Sequence, residues 1–229
     1  MRRGLVRRLA AGLLAVVVLS STGCAWVKGD PLEGKDDAGM TRAEAEAMSV
    51  KEHYAVYAQR YTRLQEMLRD AQLVISDGPW GWVGAGLLPR AGNEIAYATP
   101  AGMTVENSYR FDDGRTIQPP GAKGDEADLE PMRKHFAAQG WRIQVRKDFE
   151  SSTDLLGWSE EGFFVEYTVR TNGNYSIVVY SGSYWGPGKE LLTHFAERLR
   201  PELILRESVP GEWIPLPAWD APVVNPVSD

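Results

Sequence analysis

Between Ala47 and Ala71 the apolar residues fall at Ala47, Val50, Tyr54, Tyr57, Tyr61, Leu64, Leu68 and Ala71, spaced by three and four in strict alternation. That spacing keeps a single stripe on one face and predicts a helix over 42–72. Thr41-Arg42-Ala43-Glu44 opens it as a capping box, the threonine serving the exposed amides and the glutamate reaching back. The row Tyr54, Tyr57 and Tyr61 is expected to pack on a sheet with its hydroxyls at the margin. Tyrosine suits a coiled-coil seam poorly and the run is under five heptads, so a helix-mediated oligomeric scaffold is the lesser alternative.

The period then changes to two. Trp141, Ile143 and Val145 alternate with Arg142, Gln144 and Arg146, which predicts a strand with one buried face. Phe163–Arg170 and Tyr175–Ser181 flank Asn172-Gly173-Asn174 as a hairpin. A three-residue loop pairing Val169 with Ile177 and Tyr167 with Val179 keeps the apolar groups together. A second helix is read over 125–140 with Leu129, Met132 and Phe136 on one face and Gly140 just past its end, and a third over 189–200. Further strands are expected at 95–99, 103–111 and 203–205, and Asp112-Asp113-Gly114 reads as a turn. The order of elements matches neither βαβ alternation nor an all-β array. It predicts an α+β domain over 41–208, with an antiparallel sheet of about four to six strands covered by the long N-terminal helix and two shorter helices. Residues 209–229 hold five prolines with Trp213, Ile214, Leu216 and Trp219, a tail expected to be extended and partly docked.

The first 24 residues have a different pattern. Four arginines in eight residues precede the uncharged run Leu9–Leu19, a basic region followed by an apolar one. As a helix that run is about 17 Å long, whereas a bilayer core needs about 30 Å, so it reads as an export signal and not a span. Ser20-Ser21-Thr22-Gly23-Cys24 follows, with small residues before the sole cysteine of the chain, and it looks like a bacterial lipobox. Cleavage before Cys24 leaves a thiol for lipid, and two or more acyl chains anchor firmly where one does not. A plain secretory signal beside an incidental Cys24 is the alternative. Arg2-Arg3 lacks the preceding Ser or Thr of a twin-arginine signal, so Sec export is the expectation. Residues 24–40, rich in Gly, Asp and Pro, read as a flexible tether.

Loss of residues 1–23 removes four arginines and takes the formal charge from −6 to −10. An acidic surface excludes nucleic acid as a partner and leaves membrane affinity to the acyl anchor. With Cys24 lipidated, no cysteine is left for a disulfide, a thiolate nucleophile or a metal. His53, His135 and His194 lie far apart, each within a predicted helix, and none is paired at metal-helix spacing. No Gly-x-Ser-x-Gly and no Ser-x-x-Lys occurs. The glycine-rich stretch 76–86 lacks the Lys-Ser/Thr of a phosphate loop. No cofactor is therefore expected. Asp112, Asp113, Asp154, Glu160 and Glu161 in or near loops leave open a small carboxylate-dependent envelope hydrolase, which needs only two acids across a cleft.

The chain carries eight tryptophans, and the placement of several in glycine-rich segments is the remaining signal. Trp141 begins a strand and is read as core. Trp80, Trp82, Trp158, Tyr184 and Trp185 sit in segments read as loops, and are the candidates for contact with a sugar ring or a protein surface. With the lipobox, the long helix, the helix-Gly140-Trp141-strand unit and the following hairpin, the chain resembles the LppA-like lipoproteins of actinobacteria, whose function is unassigned. The sequence thus predicts a lipoprotein held at Cys24 on the extracytoplasmic face of the cell membrane, a non-catalytic domain binding an envelope protein, glycan or lipid.

Overall fold

A computed structural model describes residues 34–84, 86–92, 101–148, 151–204 and 207–227. The signal, Cys24, most of the tether and the strand expected at 95–99 lie outside the described residues. The fold is α+β. Four helices, α1 (Arg42–Glu46), α2 (Val50–Ile75), α3 (Glu130–Ala138) and α4 (Gly188–Arg198), accompany twelve strands among the described residues. These are β1 (Trp80–Gly84), β2 (Arg90–Ala91), β3 (Ser108–Arg110), β4 (Asp112–Ile117), β5 (Arg142–Asp148), β6 (Ser152–Trp158), β7 (Phe164–Arg170), β8 (Tyr175–Tyr180), β9 (Tyr184–Trp185), β10 (Leu199–Ile204), β11 (Glu207–Ser208) and β12 (Val223–Val227). The main sheet has seven antiparallel strands in the order β11-β1-β4-β8-β7-β6-β5. A three-stranded sheet β2-β3-β9 and a parallel pair β10-β12 complete it.

Two local readings explain why the sheet exceeds six strands. Asp112-Asp113-Gly114 is not a turn but the start of β4, where Gly114 lies opposite Val83 and Val178. The glycine-rich 76–86 segment is not a loop throughout. Trp80-Gly81-Trp82-Val83-Gly84 alternates large and small residues and pairs with β4.

The long helix is interrupted. Ser49 and Glu52 form a second capping box, Ser49 Oγ accepting from the Glu52 N–H and the Glu52 carboxylate accepting from the Ser49 N–H at 2.7 Å. That box ends α1 at Glu46 and restarts the chain as α2. From Tyr54 to Ala71 the α2 stripe is internal, with Val50 partly buried at its start. Tyr57, Tyr61, Leu64 and Leu68 pack in one cluster with Val165, Tyr167, Val169, Tyr175, Ile177 and Val179 of the sheet. Tyr57 donates its hydroxyl to the Leu87 carbonyl at 2.6 Å, while Tyr54 and Tyr61 donate to the carbonyls of Pro217 and Ile214 in the tail.

The hairpin has a three-residue loop with a register other than the one expected. Tyr167 pairs with Ile177 and Val169 with Tyr175, two positions away from the predicted partners. Gly173 at φ +78° closes a turn onto the Arg170 carbonyl, so the loop is 171–173. A shift of two leaves every side chain on its expected face.

Candidate functional site: a transverse row on the second face of the sheet

Strand alternation gives the main sheet two faces. One carries Val165, Tyr167 and Val169 against the helices; the other carries their neighbours Phe164, Glu166, Thr168 and Arg170. On this second face the register sets one row across five strands. Arg142 lies opposite Trp158, Trp158 opposite Phe164, Phe164 opposite Tyr180, and Tyr180 opposite Asp112. The rings stack along the row. Phe164 and Tyr180 are 4.5 Å apart at 10°, and Trp158 and Phe164 are 6.1 Å apart at 27°. The Arg142 guanidinium closes one end, 4.1 Å over the indole of Trp158. At the other end Arg90 holds Asp112, Nε to Oδ1 at 2.6 Å.

The row floors a groove of about 410 Å³, a size suited to a small ligand or a short segment of chain. Its rim is made by Ser159, Gly162, Ser181, Gly182, Ser183 and Asp37. Asp37 shows that the tether reading fails over 34–40, where the chain is fastened. The Gly34 carbonyl accepts from Trp185 Nε1 at 2.9 Å, Asp36 accepts from the Trp185 N–H, and Asp37 accepts from the Ser183 N–H at 2.7 Å. A Cβ at Gly182 would stand 2.4 Å from that of Asp37, and one at Gly162 would stand 2.6 Å from its carbonyl oxygen. Glycine at both positions lets the segment lie this close. Burial pushes the Asp37 carboxyl above the usual carboxylate range, against the Ser183 N–H.

Two to four residues further along the strands, on the same face, lies a polar cluster. Arg146 contacts Asp154 at 2.8 Å and Glu166 at 3.2 Å, and Thr168 donates to Asp154 at 2.8 Å. Burial, then the charge of Asp154, raises the Glu166 carboxyl against the pull of Arg146. These groups satisfy one another.

Of the five aromatic candidates, only Trp158 is in the groove. Trp80 and Trp82, 0% and 8% exposed, lie on the helix-facing side of β1, with Trp82 under the Arg115 guanidinium at 3.4 Å. Tyr184 and Trp185 are each 1% exposed. Arg60 covers the Tyr184 ring at 3.7 Å, and Trp185 holds the 34–36 segment. These four are buried side chains; the segments that carry them are strands, as is that of Trp158, which is the one left partly exposed. Phe164, Tyr180 and Arg142 escaped sequence reading, although Arg142 and Phe164 alternate with residues assigned to the core. The histidines hold local contacts. Nε2 of His53 pairs with the Ala45 carbonyl, Nε2 of His194 with that of Trp219, and His135 packs edge-on to Trp141. Among the described residues no group of three or more His, Cys, Asp or Glu could hold a metal, and no helix is long and apolar enough to cross a membrane.

No known family profile matches the chain, and no curated protein matches it. Among solved structures, a DUF4853 family protein from Actinomyces odontolyticus is similar at 13% identity, over 76% of this chain and 80% of that one, with a TM-score of 0.39. LppA from Mycobacterium tuberculosis is similar at 12% identity, over 66% of this chain and 85% of that one, with a TM-score of 0.37.

Proposed function

We propose that this chain is a non-catalytic envelope lipoprotein, anchored through lipid at Cys24 on the extracytoplasmic face of the cell membrane, that binds a partner in the groove over Trp158, Phe164 and Tyr180. The groove itself carries the reading. It places aromatic and arginine side chains, the residue types that dominate recognition surfaces, on the side of the sheet away from the α2 core. The fastening at Gly34 adds to it. Gly34 follows Cys24 by ten residues, at most about 36 Å of extended chain, so a lipid at Cys24 holds the groove close to the bilayer.

A carboxylate-dependent hydrolase is the second reading, because Asp37 and Asp112 line the same groove. Within this groove Asp112 is locked to Arg90 with a side chain only 9% exposed, so no free acid there stands across from Asp37; the sequence candidates Glu160 and Glu161 line a separate, more open cleft with Asp37, where Glu161 is tied to Arg63. The binding reading is tested by in-cell photo-crosslinking from a benzoylphenylalanine at Gln144, on the groove side of β5. One dominant adduct that is lost when Trp158→Ala is added supports it. An adduct pattern unchanged by Trp158→Ala overturns it.

A further inference from the structure

A second cavity lies away from the groove, where the break between α1 and α2 meets the chain leading from β9 into α4. It measures about 200 Å³, below the roughly 300 Å³ at which pockets for whole small-molecule ligands begin, and suits a group the size of one side chain. The buried titratable side chain of its lining is His53, 1% exposed. His53 Nε2 pairs with the Ala45 carbonyl at 2.9 Å, and a carbonyl only accepts, so Nε2 carries the ring hydrogen and Nδ1 is a bare acceptor. Burial, helped by Arg60, outweighs the Ala45 carbonyl and Glu52 and draws His53 below the ordinary histidine range, which favours that neutral ring. Nδ1 has no donor among the described residues. It faces Gly186, which also lines the cavity, and a Cβ there would stand 2.9 Å from it, so glycine keeps the approach open. A buried acceptor without a donor is costly, and a ligand N–H removes that cost.

The charges of the lining set the sign of the donor. They are Arg42, Glu46, Glu106 and Glu190. Arg42 is spent on Glu46, Nε to Oε1 at 2.7 Å, whereas Glu106 and Glu190 have no cationic partner among the described residues. Glu190 stands in the first turn of α4, but a helix end is equivalent to only about half a charge, so the balance stays negative. The carboxylates and His53 do not converge as metal ligands do, which points to an organic cation. Met48, Val50 and Pro187, beside Trp185, give its stem an apolar wall.

We propose that this cavity binds a monovalent organic cation, an alkylammonium or guanidinium group on an aliphatic stem, whose N–H donates to His53 Nδ1 and whose charge is met by Glu106 and Glu190. A free amine and a lysine or arginine side chain of a partner protein carry that same chemistry. The site is separate from the groove and does not depend on it.

The test titrates the full lipidated protein in nanodiscs, at neutral pH, with n-butylammonium, n-butylguanidinium and N-acetyl-lysine methylamide, and with n-butanol and n-butyrate as controls, while NMR follows the ring nitrogens of His53. Saturable binding of the cations is expected, with the Nδ1 resonance moving upfield as it accepts a hydrogen bond. Affinity should fall at least tenfold in the double variant Glu106→Gln, Glu190→Gln, whose two positions are exposed. Capped lysine bound as well as butylammonium supports the proposal with a protein side chain as the source; butylammonium bound without it supports a free amine. Butanol or butyrate bound as tightly, cation affinity unchanged in the double variant, an Nδ1 resonance unmoved at saturation, or no binding at all overturns the proposal. Thermal unfolding of the double variant near the wild-type temperature confirms that its loss is not that of an unfolded chain.

Discussion

Asp113 and Arg115 lie two positions apart on β4, each 1% exposed, with 3.0 Å between Oδ1 and Nη1. Gln65 of α2 donates to the other Asp113 oxygen at 2.7 Å, and Arg115 Nε reaches Ser208 at 3.2 Å. The pair thus joins the long helix, the middle of the sheet and its β11 edge. Burial raises the Asp113 carboxyl against the attraction of Arg115. Removing one partner of such a pair strands the other charge, so Asp113→Ala should cost about 3 to 5 kcal/mol in urea unfolding. A loss below about 1 kcal/mol would show the pair to be dispensable. The sequence hid this pair, because Asp-Asp-Gly is ordinary turn chemistry and only the pairing of β4 on both sides turns it into strand. Trp158 was legible as a candidate, whereas its partners Phe164, Tyr180 and Arg142 depend on cross-strand register, which no local pattern specifies.

Elements with strong local signals were read well, and those defined by partners were not. The period of α2, the alternation of β5 and the β7–β8 hairpin followed from spacing, since each buries a face repeated along its own length. The break between α1 and α2 was written as plainly, in Ser49 and Glu52, but an uninterrupted stripe concealed it. Ser49→Ala should destabilise the fold by about 1 kcal/mol through loss of the cap. The Ser49 hydroxyl, then its N–H, holds the Glu52 carboxyl below the usual range. A folded pKa below the unfolded value means stability present above the unfolded value and lost as pH falls through the folded one. The stability difference between wild type and Glu52→Gln should therefore be full at neutral pH and shrink as the pH falls below the ordinary glutamate range; a difference independent of pH would contradict that role. The fastened segment 34–40 has its own test. Gly182→Ala puts a methyl group against Asp37 and should release it, exposing Lys35 to rapid tryptic cleavage that the wild type resists. Equal cleavage rates would show that the close approach is not what holds the segment.

At the scale of the molecule, one side of the seven-stranded sheet is closed by helices and the other carries an ordered row of aromatic and charged side chains. The tail adds to the closed side. Its carbonyls accept from Tyr54, Tyr61 and Arg198, and Val223 is fully buried. The α+β class was legible because helical and strand periods alternate irregularly along the sequence. The asymmetry between faces was not, since it arises from which strands become neighbours. That asymmetry is the basis of the functional account, and comparing two tryptophans tests it most directly. Trp80→Ala, on the closed side, should lose about 3 to 5 kcal/mol of unfolding free energy. Trp158→Ala, in the groove, should lose under about 2 kcal/mol and abolish the crosslinked adduct at Gln144. If Trp158→Ala proved as destabilising as Trp80→Ala and left the adduct in place, the row would be packing and the groove would not be a recognition site.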